Sequence, residues 1–412
     1  MKAELGFAQR RPMATAAIAG SRLLSVDALR GTVMVLMALD HVRDFFHSAA
    51  TSFSPTDLTK TSAVLFLTRW VTHFCLPMFV FTSGMGACFW WQRGNRTKGQ
   101  LSRFLWTRGL WLIALELTVM QFAYDFNFSS TVMILLLVLW IFGACMIAMA
   151  LLIYLPLRTL AALSIAVLVL HNCLDPIPAA RFGAFQWAWN LLHQPGVFIA
   201  GGRPVLVSYT LVPWIAVMAS GFCFGRVFTL DAASRQRISL GLGVALTAAF
   251  IVIRAVNRYG DPAPWSVQGS PVFTVLSFLN CTKYPASLDF LLMTLGPALM
   301  LLAFLDRRTL GASNPLVVFG RVPLFYFVLH FYAIHILVVL ASLIRYGPVA
   351  WTFVFNPLPS MGGPQQLFPT GFGYRLWVVY AVWIVIVASL YPLCKWFANI
   401  KARRNAWWLS YL

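Results

Sequence analysis

The sequence predicts an all-α fold, a polytopic transmembrane helical bundle of about ten spans with both termini on the inner side. Three observations predict it. Of 412 residues 60% are hydrophobic and only 10% charged, with a mean hydropathy of +0.76, too few charges for a polar shell in water. Apolar runs long enough to cross about 30 Å of hydrocarbon at 1.5 Å per residue recur along the whole chain. The basic residues cluster between those runs and alternate in density from one side to the other, as cytoplasmic loops do.

The runs place spans near Ala28 to Phe46, Val64 to Trp90, Leu105 to Phe122, Thr131 to Tyr154, Thr159 to Leu174, Val207 to Phe228, Ile238 to Val256, Ala286 to Leu305, Val317 to Ile344 and Leu376 to Phe397, the fifth being short. Residues 1–21 hold Arg10 and Arg11 but no apolar core with a cleavage box, so they read as a cytoplasmic tail rather than a signal peptide. Residues 22–398 form the membrane domain and 399–412 a second cytoplasmic tail. With the N-terminus inside, 19 of the 31 Lys and Arg fall on inner segments. Arg30 and Arg321 lie just inside spans at their inner ends. The outer segments Asn172 to Leu206, Asn257 to Pro285 and Arg345 to Arg375 are long and rich in Pro, Gly and aromatics, a length that carries function or folds over a site. No internal repeat stands out, which weighs against a carrier built from two related halves.

A net charge of +19 would elsewhere read as nucleic-acid binding, but here the charges are topology signals and contacts to anionic lipid. The seven cysteines are scattered and include no C-x-x-C, so neither a disulfide framework nor a zinc site follows. Most fall in apolar runs as small buried hydrophobes.

Ionisable groups inside the membrane cost several kcal/mol each by insertion scales, so they need partners or a task. The first span carries Asp27, Arg30, Asp40, His41, Arg43, Asp44 and His47; the second opens with Arg69 and His73; the ninth carries His330 and His335. Asp40, Asp44 and His47 share one helical face, with His41 about 100° away. The first span runs outward and the second inward, which brings Asp40, His41 and His73 to one level in the outer half. His330 comes near mid-depth, and Lys283 and Tyr284 cap the outer end of the eighth span. A carboxylate, imidazoles and a lysine suit proton transfer; the plainer account is that they neutralise one another as packing contacts. Three mixed ligands at Asp40, Asp44 and His47 make a weak metal site, and no metal is expected. His47, His171 and His193 read as interfacial and receive no role. Asp27 and Arg30 form either a helix-start salt bridge or, with Arg103, Arg108 and Arg321 on the inner surface, part of a pocket for phosphates.

Arg22-Leu-Leu-Ser-Val-Asp-Ala-Leu-Arg-Gly31, a span ending Met37-Ala-Leu-Asp-His41, and His73-Phe-Cys-Leu-Pro-Met-Phe-Val-Phe-Thr-Ser-Gly84 together resemble the start of the heparan-α-glucosaminide N-acetyltransferase catalytic family, within the wider transmembrane acyltransferase group. Asn280-Cys-Thr-Lys-Tyr-Pro-Ala-Ser-Leu288 and Gly320-Arg-Val-Pro-Leu-Phe-Tyr-Phe-Val-Leu-His330 are similar to segments of bacterial members. The resemblance implies transfer of an acetyl or other short acyl group from cytoplasmic acetyl-CoA or acyl-CoA to an acceptor, a sugar amine or hydroxyl on a glycan or small molecule, at the other face of a bacterial inner membrane. The partners it implies are the bilayer, the donor and the acceptor; a homodimer is compatible, and nucleic acid is not expected. Asp40 stands where the animal enzyme has Asn, and His73 where it has Asp, so glucosamine specificity does not carry over.

Acyl transfer needs a base, oxyanion stabilisation and a donor channel. His41 or His73 can be the base, with Asp40 orienting the imidazole. Lys283 or Arg69 can serve the oxyanion or the acceptor, with Tyr284 and His330 beside them. Two other readings stay open: a proton-coupled transporter or flippase that uses Asp40, His41 and His73 as a relay, and an assembly subunit without catalysis.

Overall fold

The computed structural model describes residues 23–94, 96–127, 133–359, 363–404, 406 and 409; the expected tail 1–21 lies outside them. The chain opens with α1 (Leu24–Phe46). A helical hairpin arm follows as α2 (Ala63–Thr72) and α3 (Cys75–Gln92). Pro77 has no N–H to give to the carbonyl of His73, four residues back, so the second expected span breaks at His73 and Phe74. The third span is α4 (Lys98–Leu115), a π-helical turn (Glu116–Met120) and α5 (Gln121–Asp125). After β1 (Ile134–Leu136) come α6 (Val138–Leu152) and α7 (Leu157–Leu170), which a 3₁₀ turn extends to Leu174. The long segment that follows folds into α8 (Gln186–Leu192), β2 (Gly196–Ala200) and β3 (Arg203–Val207).

The remaining helices are α9 (Leu211–Phe224), α10 (Ala232–Val256), α11 (Pro271–Leu279), α12 (Leu288–Asp306), α13 (Pro315–Arg321), α14 (Pro323–Tyr346) and α15 (Leu376–Arg403). The ninth expected span is not one helix. Pro323 forces Val322 out of the helical region, to φ −131° and ψ 49°, and separates α13 from α14.

A helix lies at each of the ten expected stretches. Among the described residues seven helices are long and apolar enough to cross a membrane by length and composition, including Ala63–Gln92, Leu288–Asp306 and Leu376–Arg403. The other stretches are α1, which carries the charges; α4, which runs on into the π turn; and α6, of 15 residues. Charge disqualifies α1 as a lipid-facing helix, and its position removes the difficulty: it packs against α2, α3, α12, α13, α14 and α15 and is buried on nearly every turn. The fold is mostly helical, with a small sheet that the periodicity did not reveal. In it β3 pairs in parallel with β1 (Ile134 against Val205) and antiparallel with β2 (Gly196 against Val207). The β2–β3 hairpin turns through Gly201 and Gly202 at φ +56° and +77°, a turn that suits glycine at both positions. Three-residue β1 is too short for alternation to show.

The bundle centre is closed by small residues. A Cβ on Gly31 would stand 1.7 Å from the Leu316 carbonyl oxygen, and one on Gly320 1.8 Å from that of Asp27, so α1 and α13 cross backbone to backbone, as membrane helices do at small residues. Gly31→Ala should therefore lower the thermal midpoint of the detergent-solubilised protein by an overpacking cost of about 1–3 kcal/mol or more. Gly241→Ala on α10, whose Cβ would meet nothing within 4 Å, should leave it unchanged. Equal midpoints for the two variants would contradict the crossing.

Candidate active site

Asp40 lies in the penultimate turn of α1 and is 9% exposed. Its carboxylate receives Arg69 from α2 at 2.6 and 2.5 Å, contacts Arg43 at 2.7 Å, and has the Thr72 hydroxyl 2.7 Å from Oδ1. Arg43 continues to Asp44 at 2.7 Å. The result is an alternating row, Arg69, Asp40, Arg43 and Asp44, whose charges cancel in pairs.

His41, on the next face of α1, meets α14. Its Nδ1 is 2.6 Å from Nε2 of His330, and His330 Nδ1 is 3.0 Å from the carbonyl oxygen of Tyr326. A carbonyl only accepts, so Nδ1 of His330 carries its hydrogen. Neutral His330 then accepts at Nε2, His41 donates from Nδ1, and Nε2 of His41 keeps its lone pair. Phe331 packs on the His41 ring at 4.1 Å.

Three cavities follow one another beside α1. An apolar one of about 130 Å³ touches Met34, Met37, Phe142, Phe327 and, at its rim, Arg108. The second, about 160 Å³, is lined by Asp40, His41, Asp44, Arg69, Tyr124, Tyr209, Lys283 and Tyr284. The third, a polar vestibule of about 470 Å³, shares Asp44, Arg69 and Tyr284 with the second and adds Arg43 and His47. From Met34 to His47 the helix rises roughly 20 Å. Val138 borders both the apolar and the middle cavity, and Phe327, 6.4 Å from His41 and 5.6 Å from His330 between ring centres, stands beside the histidine pair.

The wall opposite α1 is fixed by Glu116, fully buried in the π turn. It accepts the Tyr124 hydroxyl at 3.0 Å and the backbone N–H groups of Leu137, Leu139 and Trp140 at 3.2, 2.7 and 3.3 Å. A carboxylate there satisfies the open amides at the start of α6 and complements its dipole. Lys283 and Tyr284 come from the loop before α12. Lys283 Nζ lies 5.3 Å from the Tyr284 ring centre and 5.9 Å from that of Tyr209, and the two hydroxyls are 3.2 Å apart. Burial opposes ionisation of Tyr284, but Lys283 and Arg69 outweigh it and hold the phenol below its ordinary value.

The structure thus brings Asp40, His41, Arg69, Lys283 and Tyr284 to one cavity, with His330 behind His41. The carboxylate of Asp40 goes to guanidinium groups, and the partner of His41 is His330. His73, 3% exposed, packs against Phe290 at 5.4 Å, its Nδ1 has no hydrogen-bond partner among the described residues, and it does not line the cavity. His335 sits apart, stacked on Phe126 at 3.9 Å. Of the inner-end arginines, Arg30 reaches the Thr82 carbonyl at 2.5 Å, Arg108 lies over Phe104 at 5.2 Å, Arg321 is 3.9 Å from Asp27, and Arg103 is exposed.

The interfacial expectation for His171 and His193 is corrected: each is 2% exposed. His193 meets Asp175 at 2.8 Å and His171 meets the Ala286 carbonyl at 2.8 Å, because the segment after α7 folds back over the helix ends. His47 is half-buried and accepts from the amide of Ala49 at 3.1 Å. The free cysteines are mostly buried as expected, with Cys173 exposed and Cys223 half-buried. Sequence reasoning gave no role to Arg43, although its position one turn from Asp40 was a usable signal. It also missed Thr72, Tyr124, Tyr209 and Glu116; for Tyr209, in the bend between β3 and α9, no local signal existed.

Asp40→Asn leaves Arg69 and part of Arg43 without their counter-charge, and it should cost stability approaching the about 3–5 kcal/mol of a broken buried pair. Asp44→Asn, at a side chain 25% exposed, should cost about 1 kcal/mol or less. Thermal midpoints of the two variants in the same detergent check the order; Asp44→Asn as the more damaging change would contradict it.

The described residues hold no group of three or more His, Cys, Asp or Glu side chains arranged for a metal ion. No curated protein matches the chain. A family model, Heparan-alpha-glucosaminide N-acetyltransferase, catalytic, matches residues 22–255, from the start of α1 to the end of α10, with Lys283 and His330 beyond it. That match covers more than half of the sequence and the helices that carry Asp40, His41 and Arg69, and the chain belongs to this family of transmembrane acetyltransferases.

Proposed function

We propose that the protein moves an acetyl or short acyl group from cytoplasmic acyl-CoA to an amine or hydroxyl, a sugar's being the nearest fit, at the extracytoplasmic side of a bacterial inner membrane, with His41 as general base. One observation carries the reading: His41, backed by His330, stands where an apolar cavity gives way to a polar one. The apolar cavity suits the acyl-pantetheine arm, and Arg108 at its rim, with Arg30, Arg103 and Arg321 toward the same end of the bundle, suits the phosphates. The polar cavity and its vestibule suit the acceptor. Their volumes fall in the range of small-molecule sites when taken together.

In this scheme the acceptor's N–H or O–H gives its proton to Nε2 of His41 as nitrogen or oxygen attacks the thioester carbon. The tetrahedral oxyanion forms within reach of Arg69. Collapse breaks the C–S bond, and the coenzyme A sulfur takes the proton back from His41, so protons balance within one turnover. Asp40 holds Arg69 and Arg43 in place. The unlined position of His73 supports His41 over it as the base. The topology that goes with this has ten spans with both termini cytoplasmic, the domain covering residues 22–398.

Two experiments test the reading. His41→Ala should lose transfer of labelled acetyl from acetyl-CoA to amino sugars or envelope extract by about 10²- to 10⁴-fold, while acetyl-CoA still raises the thermal midpoint as a ligand of the folded state. His73→Ala should keep most of the transfer. Full turnover in His41→Ala would remove the base from this position, and no midpoint shift with any acyl-CoA would favour a carrier. In a Cys173→Ser background, maleimide applied from outside should label Val267→Cys and spare Gly99→Cys; labelling of both from one side would contradict the topology.

A further inference from the structure

Across the polar cavity and its vestibule three cations, Arg43, Arg69 and Lys283, face two carboxylates, Asp40 and Asp44, and both carboxylates are committed: Asp40 to Arg69 and Arg43, Asp44 to Arg43. Lys283 lines the same cavity, and among the described residues its ammonium group has no carboxylate within ion-pair distance, only the faces of Tyr284 and Tyr209. Aromatic faces hold a cation without neutralising it. An extra positive charge in a half-buried pocket of low dielectric is costly unless something negative enters with the ligand.

The loop that presents Lys283 is also held rigid by groups that take no part in the cavity. Asp261 accepts the Thr282 amide at 2.7 Å, the Thr282 hydroxyl at 2.8 Å and the Ser287 hydroxyl at 2.6 Å. Arg254, 1% exposed, donates to the carbonyls of Phe278 and Asn280 at 3.0 Å each. His171 meets Ala286, which bridges back to Lys283. Asp261 and Arg254 are spent on fixing the turn, so Lys283 is offered to the cavity on a preorganised support.

We propose that Lys283 forms an anion subsite, and that the acceptor presents a carboxylate, phosphate or sulfate to it while its nucleophile faces His41. This rests on the acyl-transfer reading for the acceptor's identity, though the subsite itself is a matter of binding alone. Such an oxyacid can belong to an acidic sugar or to an anionic lipid headgroup, and the test separates the two.

The full-length protein in neutral detergent is titrated with glucosamine 6-phosphate, glucosamine 6-sulfate and galacturonate, with neutral glucosamine derivatives and galactose, and with glycerol 1-phosphate as the headgroup probe; binding is read from the midpoint shift against concentration. Acidic sugars should bind at least about tenfold more tightly than neutral ones. Lys283→Met should abolish the preference, Lys283→Arg should restore most of it, and the acetyl-CoA shift should persist in both, which also shows that each variant folds. A preference for glycerol 1-phosphate over the acidic sugars, lost in Lys283→Met, supports the subsite with a lipid as its source. Equal binding of acidic and neutral probes, or a preference that survives Lys283→Met, overturns it. A Lys283-dependent preference in a protein that neither binds nor uses acyl-CoA would sink the transferase reading and leave the subsite standing; an acyl-CoA shift without any acid preference does the reverse.

Discussion

The buried row Arg69, Asp40, Arg43 and Asp44 is the interaction on which the rest of the structure turns. Four charges at one level of a helix bundle are tolerable only as alternating neighbours, because an isolated ion there would face a desolvation cost that no single hydrogen bond offsets. That requirement explains why α1 is at the centre of the bundle rather than at its edge. It also fixes α2 against α1, since Arg69 and Thr72 both reach Asp40, and so sets the depth of the cavity that these groups line.

Around the row, breaks in helices do the positioning. Pro77 ends the pairing of the α3 backbone with the turn above, and the chain redirects at His73; Pro323 separates α13 from α14 and starts the helix that carries Tyr326 and His330. The π turn at Glu116 shifts the register of the third span, so that a carboxylate points at the start of α6 instead of at lipid. Glycine at the α1–α13 crossing lets the backbones approach, which keeps the N-terminal part of α1 tight while its C-terminal part opens into cavities. The bundle is closed where α1 is small-sided and open where it is charged.

The polarity of the site follows the same axis. Beside Met34 and Met37 the lining is aliphatic and aromatic; six residues further it is carboxylate, imidazole and guanidinium. A reaction that joins an acyl chain to a polar acceptor needs both environments within reach of one base, and the histidine pair sits at their border. The long connecting segments 172–206 and 257–285 then complete the polar side. They fold into α8, α11 and the β2–β3 hairpin that joins β1 in a sheet, and they bury His193 against Asp175 and His171 against Ala286 of the loop that carries Lys283.

What the sequence by itself determined is the mostly helical, membrane-type class of the fold and the family. Hydropathy needs no tertiary information, because lipid acts on each apolar run separately, and each of the ten runs is occupied by helix. The opposite directions of the first two spans led to the expectation that Asp40, His41 and His73 share one level, and motifs within residues 22–91 carried the family. Tertiary structure decided which of those groups meet. Depth says nothing of rotation about a helix axis, so the expected partner of His41, Asp40, went to two arginines, and His330 from a span far along the chain took its place. His73, expected at the same level, packs against Phe290 instead. The small sheet, the buried His171 and His193, and Tyr209 beside Lys283 depend on contacts between distant segments whose local patterns are too short to register, and only the packing of the whole chain could bring them together.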